Sequence, residues 1–285
     1  MTFKQHTQNI NTRAKTRLNV IRALTHTTYG HSKEDIATTY KQYIRPVLTY
    51  AHTAWQPDTA TTHIQKLQTT QNTALRIATG CTNTTPIQHL HDETKVLPLM
   101  ANMDMRGTQA YASTASPAHP LHYMQTPSPT ARHIHNTPAE HYRSLYLSLP
   151  PCPAGLSERA HIHREFTARS LASSPANSLL GSRPPRVASS EMSLSREDRV
   201  HLSRLRCGHH TAFPQYLHRI GLARAPTCSL CNRAEGSVVH VLLHCPTIQQ
   251  LRDAYHIHSL EHLWTHPEDS LRFLRAAGVV PEAQN

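Results

Sequence analysis

Acid is scarce in this sequence. Asp and Glu number 18 against 29 Lys and Arg, leaving a formal net charge of +11 with all 24 histidines neutral. The few aspartates never occur as neighbours, so the chain has no Asp-Asp dipeptide of the kind that can contribute to the clustered carboxylates of two-metal phosphoryl transfer. The acidic doublets Glu34-Asp35, Asp92-Glu93, Glu197-Asp198 and Glu268-Asp269 sit at helix starts or in polar stretches, where helix capping accounts for them. Apolar residues make up 38% and aromatics 6%, too little for a core along the whole length of 285 residues. No run of about 18 apolar residues exists, which excludes an evident membrane-spanning helix. Residues 1–25 lack the apolar centre of a signal peptide. The six cysteines, at 81, 152, 207, 228, 231 and 245, form no disulfide framework. A reducing compartment is expected, nucleus or cytoplasm.

What is present points two ways. A basic balance of this size favours a polyanionic partner, nucleic acid first and an acidic membrane surface second; the plainer alternative is a basic surface with no dedicated partner. The other signal is Cys228-Ser-Leu-Cys231, then eight residues, His240, then four residues, Cys245. Two cysteines two residues apart offer two thiolates to one ion, and a His and a Cys complete the Cys3His set of structural zinc sites. Four protein ligands leave no position for a substrate water, so the zinc would fold a module rather than do chemistry.

In chain order, residues 12–24 read as a basic amphipathic helix capped by Thr12, with Ala14, Leu18, Ile21 and Leu24 on one face. Arg13, Lys15 and Arg17 fall mostly elsewhere, as a solvated face or as phosphate contacts. Ser32-Lys-Glu-Asp35 resembles a capping box. The aromatic segment from Tyr40 through Tyr50 to Trp55 reads as core, with Pro46 kinking or ending its helix. Residues 61–79 give the clearest helix: Ile64, Leu67, Gln71, Ala74, Leu75 and Ala78 share a face, and Gly80 suits the position after its end. Pro86 opens another short helix.

Residues 111–190 hold 11 of the 20 prolines. They read as a linker with one short helix near 157–171. The His133/His135 and His161/His163 pairs there read as solvated rather than metal-binding. Ser195 then starts a helix carrying Arg196, Arg199, Arg204 and Arg206, followed by Cys207, His209 and His210. This is the densest basic patch, and arginine's planar fork suits phosphate. Cys207 beside His209 and His210 is the one local candidate for a thiol nucleophile, but no orienting acid lies near it. A small buried residue is the better reading. A final helix runs from Glu268 to Ala277, between Pro267 and Gly278.

Two blocks carry a family resemblance. Tyr40-Lys-Gln-Tyr-Ile-Arg-Pro-Val-Leu-Thr-Tyr50 with Trp55, Lys66 through Gly80, and Leu97-Pro-Leu99 resemble the region just past the catalytic palm in reverse transcriptases of jockey-type non-LTR retrotransposons. Leu202-Ser-Arg-Leu-Arg-Cys-Gly-His209, the Cys-Cys-His-Cys motif and His244-Cys-Pro246 resemble the carboxyl-terminal tail of the same open reading frame. The gap of eight residues between Cys231 and His240 is longer than in retroviral nucleocapsid knuckles. The family's Tyr/Phe-x-Asp-Asp pair has no counterpart.

The resemblance implies a mainly α chain in three parts: residues 1–105 as a thumb/connection-like helical region, 106–190 as a loosely structured linker, and 191–285 as a basic helix with a small zinc-stabilised helical module. It further implies a non-catalytic carboxyl-terminal fragment, separate from its palm and fingers. RNA or DNA would be bound through Arg13, Lys15, Arg17, Arg196, Arg199, Arg204, Arg206 and His209, with structural zinc on Cys228, Cys231, His240 and Cys245. The competing expectations are a zinc-stabilised protein-interaction module and an unexpressed remnant.

Overall fold

Helix dominates because the chain's apolar residues recur at helical spacing. The computed structural model describes residues 3–122 and 137–281, and among them no strand forms, only the isolated bridges Thr25–Gly30 and Thr227–Glu235. The His133/His135 pair lies outside the described residues. The chain divides into two compact units, each assembled from three stretches. The first takes Met1–Val20, Thr38–Ala74 and Lys95–Ser174; the second takes Ile21–Ala37, Leu75–Thr94 and Pro175–Asn285. This differs from the sequential division into residues 1–105, 106–190 and 191–285 that the resemblance implies. The boundary at residue 105 falls inside a continuous helix, and residues 137–174 of the stretch read as linker contribute two helices to the first unit.

Helix α1 (Lys4–Leu24) starts well before Thr12. Thr12 lies within it, and its hydroxyl donates to the Gln8 carbonyl at 3.1 Å. Ile10, Ala14, Leu18 and Ile21 are buried, as the periodicity required. Helix α2 (Lys33–Thr39) begins at Ser32, whose hydroxyl oxygen accepts from the Asp35 N–H at 3.1 Å. It passes into a π-turn at Tyr40–Ile44, closed by the Arg45 N–H on the Tyr40 carbonyl, and then into α3 (Arg45–Leu48). Pro46 occupies the first turn of α3, where a missing N–H leaves nothing unpaired. Helix α4 (His52–Trp55) follows. Trp55 is buried, but Tyr50 is 73% exposed and Tyr43 also reaches solvent, so the aromatic segment is only partly core.

Helix α5 (Thr61–Thr79) matches its expected bounds, and all six residues of its expected face are buried. Gly80 takes a left-handed conformation (φ +68°), and a Cβ there would lie 2.5 Å from Val200 Cγ2. It is therefore required twice, by its turn and by a close approach. Helix α6 (Ile87–Thr94) follows, then α7 (Leu99–Ala115).

The proline-rich stretch contributes α8 (Pro138–Leu147), capped by Thr137 with Pro138 in its first turn, and α9 (Glu158–Ala172), capped by Ser157. Both pack on α7. Met105, Ala112, Ile162 and Phe166 form their shared core. At Gly107 a Cβ would stand 2.0 Å from the Tyr142 ring, so a glycine lets α7 and α8 approach. Pro138 marks where a helix begins rather than excluding one.

In the second unit, a 3-10 turn (Ser189–Ser193) leads to α10 (Arg196–Arg206), whose Ser195 hydroxyl oxygen accepts from the Asp198 N–H at 3.1 Å. There follow α11 (Pro214–Arg219), a π-turn (His240–His244), a 3-10 turn (Pro246–Ile248), α12 (Gln249–Ala254), α13 (His262–Thr265) and α14 (Pro267–Ala276). Leu202, Leu205, Phe213, Leu242, Trp264 and Phe273 belong to one apolar cluster, which also contains Cys228 and Cys245.

Candidate metal centre and the fate of the basic residues

The Cys228–Cys231 knuckle is a tight turn held by backbone bonds. The Asn232 N–H donates to the Cys228 carbonyl at 2.9 Å, the Cys228 N–H to Ala234 at 2.8 Å, and the Gly236 N–H to Pro226 at 2.7 Å. Asn232 turns the chain in the left-handed region (φ +52°), which asparagine tolerates. Gly236 is needed because a Cβ there would lie 2.9 Å from Cys228 Cα.

The second pair of ligands depends on the π-turn. In an α-helix, positions five apart face directions about 140° apart. Here the Cys245 N–H reaches back five residues to the His240 carbonyl at 2.7 Å, and the wider turn brings both side chains to one side. Arg252, fully within the fold, holds this end in place. Its guanidinium donates to the carbonyls of Leu242 at 2.7 Å and Cys245 at 2.8 Å. Arg252 belongs to no motif, so nothing in the sequence marks it.

The ligand atoms of Cys228, Cys231, His240 and Cys245 all lie within 4.8 Å of one another. Cys231 Sγ and His240 Nε2 are 3.3 Å apart. Sulfurs bound at the usual ~2.3 Å in a tetrahedron stand about 3.8 Å apart, so the four residues fit a single ion. The donor set, three thiols and an imidazole, suits a soft or borderline metal. Backbone N–H groups, Arg233's foremost and Ala234's with it, hold the Cys231 thiol below its ordinary range, favouring the thiolate a metal takes. Burial first, then His244 and Arg252, holds His240 below its ordinary value and so neutral. The sequence-read ligands are thus brought together.

The basic residues fare differently. Arg206 has no exposed surface. It pairs with Glu93 at 3.2 Å and with Glu191, and donates to the Leu263 carbonyl at 2.8 Å. Lys33 pairs with the same two carboxylates at 2.6 and 2.7 Å. The result is a buried quartet of two cations and two anions. Burial alone would push Glu93 up, but Lys33 and Arg206 together hold it well below the usual carboxylate range. Burial likewise pulls Lys33 down, and Glu93 and Glu191 outweigh it, leaving its ammonium above its ordinary value.

The expectation that α10 presents an arginine patch to phosphate is therefore corrected. Arg196 caps the end of α5, donating to Ile77 at 2.9 Å and Ala78 at 2.5 Å, and to His26 at 3.0 Å. Cations belong at the carbonyl end of a helix. Arg199 pairs with Glu34, and Arg204 donates to the Gly80 carbonyl at 2.9 Å. His209 is buried and stacked on Tyr216, and burial brings it down to about 4, so it carries no charge at neutral pH.

Glu93, read as part of a polar doublet, is instead a buried anion. Cys207 is buried too, and its hydrogen bond with Cys81, with burial, pushes its thiol up, the opposite of an activated nucleophile. On α1, Arg13 and Lys15 are exposed, while Arg17 lies 4.5 Å from the Tyr43 ring centre and donates to the Tyr43 carbonyl at 2.7 Å. His163 is exposed, and His161 is buried with Nε2 2.8 Å from the Pro150 carbonyl. No helix among the described residues is long and apolar enough to cross a membrane. No protein-family model, curated protein or solved structure matches the chain.

Proposed function

We propose that the chain is a non-catalytic, zinc-stabilised helical protein that binds RNA or DNA through the phosphate backbone, corresponding to the carboxyl-terminal portion of a jockey-type non-LTR retrotransposon reverse transcriptase. Charge balance supports this reading. Each internal ion pair removes one cation with one anion, so the pairs within the fold leave the net +11 on the remaining residues, Arg13 and Lys15 among them. Zinc in this reading is structural and supplies no step. The four ligands bind it as three thiolates and a neutral imidazole, while Gly236 and Arg252 set their backbone.

Binding to RNA and to duplex DNA, measured as salt is varied, tests the reading. Affinity is expected to fall steeply and linearly on logarithmic axes as counterions are released. Affinity that does not change between low and physiological salt overturns it. A zinc-stabilised protein-interaction module is favoured instead by one observation, the inward placement of Arg196, Arg199 and Arg206. Zinc content without retention of nucleic acid, compared with a Cys228→Ser/Cys231→Ser variant, would select that alternative.

A further inference from the structure

We propose that a basic cleft in the first unit is a binding site for closely spaced phosphate groups. The cleft has a volume of about 910 Å³ and is lined by Lys41, Arg45, Lys95, Arg106, Arg159 and His163, with no Asp or Glu among its lining residues. Four separate stretches of chain supply these cations. Lys41 and Arg45 come from the π-turn and the start of α3, Lys95 from the turn before α7, Arg106 from α7, and Arg159 with His163 from one face of α9. Among the described residues none of the six is in a salt bridge. The nearby carboxylates are engaged elsewhere: Glu158 accepts from the Tyr146 hydroxyl, and Asp104 binds Gln56 and His141.

Like charges gathered without a counter-ion cost free energy. Arg45 shows that cost: burial, and then the neighbouring Arg106, lowers its hold on its proton. A multivalent anion relieves it.

The chemistry of the walls narrows the ligand. Three of the five permanent cations are arginines, whose forked donors match phosphate oxygens. The first turn of α9 also opens here through Ser157, Arg159 and Ala160, adding the positive end of a helix dipole. Asn102, 3% exposed and part of the same wall, has a side-chain carbonyl with no hydrogen-bond partner, an acceptor that a water bridging to a bound phosphate would satisfy. No Phe, Tyr or Trp lines the cleft, so it lacks the large aromatic faces on which nucleic-acid bases commonly stack. The recognised group is therefore the phosphate run and not the base. The volume is generous for one orthophosphate and falls in the range that holds a ligand of many atoms.

This deepens the nucleic-acid reading and rests on it only for the source of the phosphates, a strand backbone or a free oligophosphate. The test is calorimetric titration of the full, zinc-loaded chain with sodium tripolyphosphate and separately with an oligouridylate. Wild type is compared with an Arg106→Gln/Arg159→Gln variant, both positions being exposed, and with an Arg272→Gln control, an exposed arginine outside the cleft that faces Glu268 and Asp269. Circular dichroism checks that each is folded.

Affinity for both ligands reduced roughly tenfold or more by the double substitution, and unaltered by Arg272→Gln, supports the site with nucleic acid as its source. Tripolyphosphate binding lost in the double variant, with no oligouridylate binding by wild type, keeps the site and overturns the nucleic-acid reading. Oligouridylate binding equal in wild type and double variant overturns the site and leaves the reading intact. Absence of binding by either ligand overturns both. Polyglutamate binding tighter than tripolyphosphate overturns the choice of phosphate.

Discussion

The second unit's buried quartet and the first unit's cleft are both built from cations, and they solve the problem of charge in opposite ways. In the quartet, Arg206 and Lys33 meet Glu93 and Glu191 one for one, and the group is neutral and buried. In the cleft, five permanent cations converge with no carboxylate on the wall. Paired cations hold the fold, while unpaired ones wait for a partner from outside. Arginine density along the chain does not separate these cases, since α10 is the densest basic helix and most of its arginines are spoken for internally.

Removing the metal is the largest perturbation and tests whether the second unit depends on more than its quartet. Structural zinc sites contribute apparent free energies of ~10–16 kcal/mol in small modules, and Cys228 and Cys245 lie in the same apolar cluster as Trp264. A strong chelator is therefore expected to expose Trp264, seen as a red-shifted emission in a Trp55→Phe background. Unchanged emission after verified zinc loss would separate the metal from the core.

The quartet comes next. Arg206→Met leaves a buried net negative charge and is expected to cost about 3–5 kcal/mol in denaturant unfolding. Adding Glu191→Gln restores neutrality and should recover part of the loss. Two additive losses would show that the pair is not coupled.

Acid probes the same region more gently. An unfolded imidazole gains its proton near pH 6.5, whereas burial, with His201 and Arg204, keeps His210 neutral down to about 3. Stability is thus full above about 6.5 and declines by up to ~1.4 kcal/mol per pH unit between those values from this residue alone. Glu93, held low, adds its own loss as pH falls below the unfolded carboxylate value of about 4.3. In a pH series of denaturation curves, His210→Phe should flatten the upper part of the decline and Glu93→Gln the lower.

The smallest effect is the sharpest contrast. Arg106→Met in the cleft removes repulsion on Arg45 and is expected to leave stability unchanged or raise it by up to about 1 kcal/mol. A loss resembling that of Arg206→Met would mean that Arg106 has a structural partner.

What the sequence disclosed followed from how local each signal is. The Cys3His spacing, the face of α5, Gly80 and the Ser195 cap all depend on residues within a few turns of each other, and the structure places each as read. Helical periodicity marks which face of α10 is apolar, but not that Glu34, Glu93 and Glu191 would come to its arginines. Prolines in 111–190 were read as breaking structure, yet Pro138 sits where a helix starts. The cleft draws on residues scattered from 41 to 163, with no motif to connect them.

The quartet also sets an order of events. Lys33 and Glu93 are 60 positions apart, but Glu191 lies 158 positions from Lys33, and Arg206 lies 113 from Glu93. As the chain leaves the ribosome, Lys33 and Glu93 are available to each other long before Glu191 and Arg206 exist. The early pair is neutral and tolerates waiting in water. Once Glu191 and Arg206 arrive together, 15 positions apart, they add a second neutral pair, so charge balance is kept at each stage of synthesis. Such long-range closure is slow, and the second unit is accordingly expected to complete its folding only after its last helices have emerged.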